Sequence, residues 1–178
     1  MLRTSYLLSL CAALGALGCG QDSPTGPEYG ATPVQAHYGG TPRPAGGSCA
    51  TTISFLPPVS GQPANVAVIR VGLDCTLRHL GLTSGELIQT IVSSTTDFSN
   101  TLSATIVYVA ANGDELHATF AGSGVLDPSG PSVRFSGTET YTGGTGRFRD
   151  AAGSSELVGS ADLRASVGEY STSGTLRY

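Results

Sequence analysis

Apolar and polar residues alternate with a period of two along most of the chain from residue 49 onward, which is typical of half-buried β-strands. The segment 65–77 places five residues on one strand face, namely Ile69, Val71, Leu73, Cys75 and Leu77. The same pattern predicts further strands at residues 51–55, 101–110, 115–122, 133–141, 156–165 and 170–178. The inward residues are Leu102, Ala104, Ile106 and Tyr108 in the second of these strands, and Leu116, Ala118 and Phe120 in the third. The apolar segment 87–92 is ambiguous, because a short run of this kind fits a strand or a short helical turn.

Glycines indicate how these strands connect and curve. Asn112-Gly113 predicts a β-hairpin with a type I′ turn, whose two central residues need positive φ. Other glycines recur in the middle of strands, in Phe120–Ser123, Phe135–Thr138 and Leu157–Ser160. A glycine inside a strand marks the sharp bends that a small barrel requires, and closure removes exposed sheet edges. We therefore predict an all-β domain over residues 48–178 that forms a small closed antiparallel barrel of about eight strands, with a two-sheet β-sandwich as the alternative.

The first 18 residues have the features of a bacterial lipoprotein signal peptide. Arg3 supplies a basic start, and the apolar stretch 7–17 is too short to span a bilayer. Small residues precede Cys19, which predicts cleavage and lipidation at that cysteine, whereas the alternative is an ordinary cleaved signal with a chance cysteine. Both interpretations place the protein outside the cytoplasm: at the bacterial outer membrane or cell surface through a lipid anchor, or secreted or periplasmic. Residues 19–47 are rich in Pro and Gly and predict a flexible tether.

Cys49 and Cys75 are the two cysteines that remain in the predicted barrel domain. Each is in phase with the apolar face of its strand, which favours a buried disulfide in an oxidising compartment. Such a bond would contribute about 3 kcal/mol by restricting the unfolded chain. Two free buried thiols are the alternative. No His or Cys stands at ligand spacing beside either residue, so we predict no metal site and no cofactor.

Charge excludes one class of partner. The net charge is −4, charged residues make up 12% of the chain, and lysine is absent. A nucleic-acid-binding protein needs a basic patch to neutralise phosphates, so no nucleic acid is predicted as a partner.

Glu139 is the main candidate for chemistry. Its phase within the predicted strand places it on the core face with Phe135 and Tyr141. Burial there would raise the pKa of the carboxyl group, as a general acid or base requires. The alternatives are a solvated position at the barrel mouth and a structural salt bridge with an arginine. Glu139, Tyr141, Tyr108 and Phe135 are the candidate ligand-binding residues.

Other polar residues give weaker signals. Arg147 would hold an anionic ligand or lie solvated in a turn. Asp74 and His79 would point to opposite faces of an extended strand, so they form no catalytic pair. His117 is predicted to face outward. The glycines of residues 143–146 are not a phosphate loop, because no Lys-Ser or Lys-Thr follows them and no helix begins there.

One stretch carries a resemblance to a known superfamily. Residues 141–148 read Tyr-Thr-Gly-Gly-Thr-Gly-Arg-Phe and are followed by Asp150-Ala151-Ala152-Gly153. This stretch resembles the glycine-rich hairpin of the allene oxide cyclase and dirigent barrels, and the likeness covers about residues 100–178. The segments 111–115, 120–124 and 173–176 are similar to uncharacterised exported bacterial proteins of that barrel type. The resemblance implies an eight-stranded antiparallel barrel with a central cavity, and a homo-oligomer that is a trimer by analogy with plant members. It transfers no individual cavity residue.

Three functional hypotheses follow. The first is a lipid-anchored binding module that holds a small apolar ligand or docks an envelope partner. The second is an isomerase or cyclase similar to allene oxide cyclase, in which Glu139 would be the catalytic carboxylate. The third is a structural or inhibitory envelope protein, which a barrel filled by its own side chains would favour. The first two are separated only by analogy of fold.

Overall fold

The computed structural model describes residues 40–178, and these fold as a closed β-barrel. Eight strands follow one another in chain order: β1 (Arg43–Phe55), β2 (Val66–Leu77), β3 (Gly81–Ser93), β4 (Ser99–Val109), β5 (Glu115–Leu126), β6 (Ser132–Gly144), β7 (Ala152–Asp162) and β8 (Val167–Arg177). Every strand pairs antiparallel with the next, and β8 pairs with β1. The predicted barrel is confirmed and the sandwich is excluded. The predicted signal peptide, Cys19 and the tether as far as residue 39 lie outside the described residues.

Helix is nearly absent from this part of the chain. The described residues contain one short 3-10 helix, Gly146–Phe148, between β6 and β7. None of their helices is long and apolar enough to cross a membrane. The ambiguous segment 87–92 lies within β3 and is therefore a strand.

The first strand begins at Arg43, before the predicted boundary between tether and barrel at residue 48. Residues 43–47 are thus part of the barrel, where they pair with residues 172–176 of β8. Glycines make this pairing possible. Gly46 and Gly47 have φ values of 141° and 155°, and a Cβ atom on Gly46 would collide with the carbonyl oxygen of Thr172. A composition that is typical of a tether therefore also suits a tightly packed strand.

Side chains of alternating residues fill the barrel interior and form one core. The predicted inward faces of β2, β4 and β5 are confirmed. They contribute the buried residues Ile69, Val71, Leu73, Cys75, Leu77, Leu102, Ala104, Ile106, Tyr108, Leu116, Ala118 and Phe120. Because antiparallel strands present every second residue to the same side, the period of two places these residues inside.

A disulfide joins Cys49 of β1 to Cys75 of β2, as predicted. The two residues stand directly opposite each other in the strand register, and both are buried. The bond closes a loop with a sequence separation of 26 residues. A buried disulfide is consistent with an oxidising, extracytoplasmic location.

The hairpin at Asn112-Gly113 is present, but its predicted type I′ turn is wrong. Gly113 has φ of 86°, whereas Asn112 is not among the described residues with positive φ. The amide of Gly113 donates to the carbonyl of Ala110 at 2.8 Å, and the amide of Ala110 donates to the carbonyl of Asp114 at 2.9 Å. Residues 111–113 thus form a three-residue connection in which only the glycine needs positive φ.

Mid-strand glycines make room for aromatic rings inside the barrel. Gly122 of β5 stands opposite Gly137 of β6. A Cβ atom on Gly122 would lie 2.6 Å from Cζ of Phe120, and one on Gly137 would lie 2.8 Å from Cε2 of the same ring. The ring of Phe120 therefore covers both glycines. This arrangement permits tight curvature while keeping the interior filled.

The glycine-rich stretch that carries the family resemblance fills one end of the barrel, here named the closed end. It places Phe148 in the core, where the side chain is fully buried. Arg147 donates from Nη2 to the carbonyl of His79 at 2.7 Å and lies 3.9 Å from the Asp114 carboxylate. Gly146 has φ of 53°, and a Cβ there would collide with that carboxylate. Arg147 therefore links the turns after β2, β4 and β6 and is not simply solvated.

Removing the disulfide by the double substitution Cys49→Ala/Cys75→Ala should lower the free energy of unfolding by about 3 kcal/mol, because the unfolded chain gains conformational freedom. Denaturant titration of the variant and of the oxidised wild type measures this loss. An unchanged midpoint of unfolding would contradict the assigned role of the bond.

Substituting Gly137→Ala should destabilise the barrel by roughly 1–3 kcal/mol, because the new methyl group overpacks the interior. Its Cβ would lie 2.5 Å from Cα of Gly122 and 2.8 Å from the Phe120 ring. The matched control is Gly130→Ala, since Gly130 has no atom within 4 Å of the position that a Cβ would take. Equal thermal unfolding temperatures for the two variants would show that a methyl group at residue 137 does not overpack the interior.

Candidate functional site

A cavity of about 240 Å³ lies inside the barrel, at the end opposite Phe148. It is bordered by the end of β1 and the start of β2, and we call this the open end. Phe55, at its rim, is 56% exposed. The wall is largely apolar and includes Ile69, Val71, Leu87, Ile106, Phe120 and Leu157. Such a space favours an apolar ligand, because binding removes apolar surface from water.

A few polar side chains interrupt this wall. Thr51, Gln89 and Asn100 line the cavity, and so does Tyr170 of β8. Tyr170 is buried in the core, with 4% of its surface exposed. A small number of polar groups in an apolar pocket gives a ligand orientation as well as affinity.

Glu139 lies deep in the interior of β6 and is 1% exposed. Its direct neighbours across the sheet are Phe120 on β5 and Ser155 on β7. The prediction that Glu139 faces the core is confirmed. Neither alternative holds, because the side chain is not at a solvated mouth and forms no salt bridge with an arginine within the described residues.

Three tyrosine hydroxyls and one serine accompany the carboxylate. The hydroxyls of Tyr108 and Tyr170 lie 2.9 Å apart, and those of Tyr141 and Ser155 lie 2.8 Å apart. The Tyr170 hydroxyl also lies 4.0 Å from Sγ of Cys75, at the disulfide. Atom Oε1 of Glu139 has no hydrogen-bond partner among the described residues. A buried carboxylate with an unsatisfied oxygen is costly, so it calls for an explanation beyond packing.

Burial changes the acid–base behaviour of this cluster. It raises the pKa of the Glu139 carboxyl from 4.5 to about 7, while the nearby Tyr108 hydroxyl partly opposes that rise. Burial and the nearby Glu139 charge raise the pKa of Tyr141 to about 12. Burial also raises the pKa values of Tyr108 and Tyr170. Near neutral pH the tyrosines therefore keep their protons, and Glu139 is the group that titrates.

The four residues predicted to bind a ligand lie in two different parts of the interior, the cavity wall and the buried polar cluster around Glu139. Phe135 lines the cavity, whereas Glu139, Tyr108 and Tyr141 do not. Tyr170 connects the two places, since it lines the cavity and bonds to Tyr108. Sequence reasoning missed Tyr170 as a site residue. Its phase with the buried Thr172 and Leu176 signals an inward position, but not which tyrosine it meets.

The histidines take part in other contacts. His117 faces outward as predicted, between the buried Leu116 and Ala118, and its Nε2 lies 2.9 Å from Oε2 of Glu115. His79 contacts the carbonyl of Pro44 through Nε2 at 3.1 Å. Among residues 40–178, no group of three or more His, Cys, Asp or Glu residues is placed to hold a metal ion.

Comparison of the chain with protein-family models, with curated proteins and with solved structures found no match.

Substituting Glu139→Gln should remove a pH dependence of stability. The pKa of Glu139 in the folded state, about 7, lies above its ordinary value of 4.5. The folded state therefore holds the proton more tightly, and stability falls as pH rises between these values. Ionisation of Glu139 should lower the free energy of unfolding of the wild type by up to about 3 kcal/mol above neutral pH. Denaturant titrations from about pH 4 to about pH 9 measure this loss.

The exposed Glu169 provides the control for this experiment. A Glu169→Gln variant should keep the wild-type fall in stability with rising pH. If Glu139→Gln and Glu169→Gln lose the same amount of stability over this range, the buried carboxylate is not the source of the effect.

Proposed function

We propose that this protein is an exported barrel whose cavity at the open end binds a small apolar ligand. The observation that carries the proposal is an apolar space inside a barrel whose opposite end is filled by Phe148. A barrel made only as a structural element would gain stability by filling this space, since cavities in cores are destabilising. The unfilled space therefore favours a binding role over a purely structural one.

The size of the cavity limits the ligand. Its volume of about 240 Å³ lies below the roughly 300–1,000 Å³ that is usual for drug-sized ligands. The ligand in this proposal is a compact hydrocarbon or terpene-like molecule with no more than one or two polar groups. An anion is disfavoured, because none of the described residues that line the wall is cationic.

A second candidate function is an isomerase or cyclase that resembles allene oxide cyclase. The raised pKa of Glu139 supports it, because a carboxyl group that titrates near neutral pH suits proton transfer. Against it, Glu139 is not among the residues that line the cavity, and a general base must reach its substrate directly or through one water. The binding role is therefore the better supported of the two.

The cellular setting belongs to the same proposal. We place the protein outside the cytoplasm, held at the outer membrane or cell surface by a lipid on Cys19. The buried Cys49–Cys75 disulfide supports an oxidising compartment. The allene oxide cyclase and dirigent relationship, and a trimer that follows from it, remain proposals that the eight-stranded barrel is compatible with.

The test is binding of p-menthane, an apolar molecule of suitable size, followed by NMR contacts between the probe and the methyl groups of Ile69 and Ile106. The variant Ala67→Phe should weaken binding at least tenfold, because Ala67 is a half-buried residue of the cavity wall and a phenyl ring there would occupy the space.

The matched control places the same ring outside the barrel. Ala121 is exposed on β5, so Ala121→Phe should bind p-menthane like the wild type. Absence of probe contacts to Ile69 and Ile106, or equal weakening by both variants, would refute binding in this cavity.

A further inference from the structure

We propose that the open end of the barrel docks onto the surface of a lipid bilayer, with the mouth of the cavity against the acyl chains. A rim of exposed apolar side chains surrounds this mouth and makes the contact. The contact itself does not depend on the proposed binding function. Entry of an apolar ligand from the lipid into the cavity, which the contact permits, rests on that function.

Exposed apolar side chains are concentrated at the open end. The described part of the chain exposes eight large apolar side chains, and six of them lie at this end. We call the six the apolar rim, and its members are Phe55, Val59, Val92, Phe98, Val125 and Val167. The other two lie elsewhere: Leu82 is at the closed end, and Val158 is in the middle of β7.

The apolar rim encircles the mouth instead of forming a patch on one side. Its members belong to β1, β3, β5 and β8 and to the connections that follow β1 and β3. Because the strands are arranged around the barrel in chain order, these residues are spread around its circumference. A flat apolar surface meets all of them at once, and the boundary of a lipid bilayer is such a surface.

The two phenylalanines connect the apolar rim to the cavity. Phe55 lines the cavity. The carbonyl of Phe98 accepts a hydrogen bond from the amide of Leu126 at 2.9 Å, and Leu126 also lines the cavity. Apolar surface therefore continues from the cavity wall to the outside of the barrel, which marks a site of contact with an apolar partner. An apolar ligand collects in the same lipid and so reaches the cavity without crossing water.

Charged residues are distributed unequally between the two ends of the barrel. The connections at the open end are residues 56–65, 94–98, 127–131 and 163–166, and their charged residues are Asp97, Asp127 and Arg164. The connections at the closed end are shorter, residues 78–80, 110–114 and 145–151, yet their charged residues are Arg78, Asp114, Arg147, Arg149 and Asp150. Because it is costly to bring a charge into lipid, the open end is the better suited of the two to this contact.

The charges at the open end also indicate how the contact is held. Asp97 accepts a hydrogen bond from the amide of Ser99 at 2.9 Å, and Asp127 accepts one from the amide of Ser129 at 2.8 Å. Each carboxylate is thus bound within its own turn. Anionic headgroups attract clusters of Lys and Arg, and the four connections contain a single arginine. We therefore expect the contact to depend on apolar burial and to need no anionic lipid.

The length of the chain before the barrel permits this orientation. Gly40 lies at the closed end, because a Cβ atom there would collide with the carbonyl oxygen of Tyr178. The 20 residues between Cys19 and Gly40 span at most about 65–70 Å. By comparison, the 13 residues of β1 span about 43 Å. A chain that is held at a membrane through Cys19 can therefore turn its open end back to the same membrane.

The experiment uses the absence of tryptophan from the chain. Phe98→Trp and Val59→Trp each place one fluorophore in the apolar rim, and Leu82→Trp is the control at an exposed apolar residue of the closed end. The full-length variants are mixed with phosphatidylcholine vesicles whose brominated acyl chains quench tryptophan on contact. Both rim variants should show quenching and emission at shorter wavelength, whereas Leu82→Trp should show neither. This local readout does not depend on whether a lipid on Cys19 also holds the protein.

A second comparison measures the strength of the contact in the Phe98→Trp background. Adding Val59→Ser removes an apolar group from the rim, so it should lower the ratio of docked to free rim by about threefold to tenfold. The matched control is Val158→Ser, because Val158 is exposed on β7 away from both ends. Equal effects of the two serine substitutions would contradict a contact made by the apolar rim.

Other outcomes overturn the inference or separate it from the proposed function. Absence of quenching in both rim variants refutes it, as does loss of quenching at about 1 M salt, where charge interactions are screened. A shift to shorter wavelength that needs no vesicles and grows with protein concentration would assign the rim to a second copy of the chain. If the rim variants are quenched but p-menthane makes no contact with Ile69 and Ile106, the binding function fails and the lipid contact stands.

Discussion

Pairing of β1 with β8 is the constraint on which the rest of the molecule depends. Residues 43–52 pair with residues 167–176, and this seam converts an eight-stranded sheet into a barrel. Without it, the first and last strands would be open edges, and the inward side chains would face solvent. The seam also brings Tyr170 opposite Cys49, beside the disulfide. The position of Tyr170, whose hydroxyl contacts Tyr108 and Cys75, is therefore a consequence of closure.

Closure on a small radius then decides how the interior is filled. Glycines at mid-strand let the sheet bend, and the ring of Phe120 takes the space that their missing side chains leave. Phe148 fills the closed end, whereas the open end keeps a cavity. Glu139 lies between aromatic and hydroxyl groups and away from both solvent and cations. Its raised pKa follows from this location, because burial penalises the charged form and no cation among the described residues offsets the penalty.

Local pattern in the sequence predicts much of this architecture. A period of two identifies the inward faces of β2, β4 and β5 and places Glu139 inside, because side-chain direction in a strand depends only on position parity. The phase of Cys49 and Cys75 predicts their buried disulfide for the same reason. Mid-strand glycines predict closure, since each marks a point where the sheet curves.

What the sequence does not predict depends on the register between distant strands. Tyr108 and Tyr170 are 62 residues apart, and no local pattern indicates that their hydroxyls meet. Phe135 lines the cavity and Glu139 does not, although both face inward from β6. This difference likewise depends on how side chains from several strands pack. The start of β1 at Arg43 was missed because Gly46 and Gly47 look like linker residues while they allow close approach to β8. At Asn112 the dipeptide predicts the hairpin, but backbone hydrogen bonds at Ala110 select a different turn.

The closed barrel buries Glu139, which forms no salt bridge with any of the described residues. The most direct test is an NMR titration of the ¹³C-labelled side-chain carboxyl of Glu139 in the full chain, with the resonance assigned by its absence in Glu139→Gln. The account predicts a single transition with a midpoint of about 7. A midpoint near the ordinary value of 4.5 would mean that the carboxylate is solvated or paired, and would contradict the account.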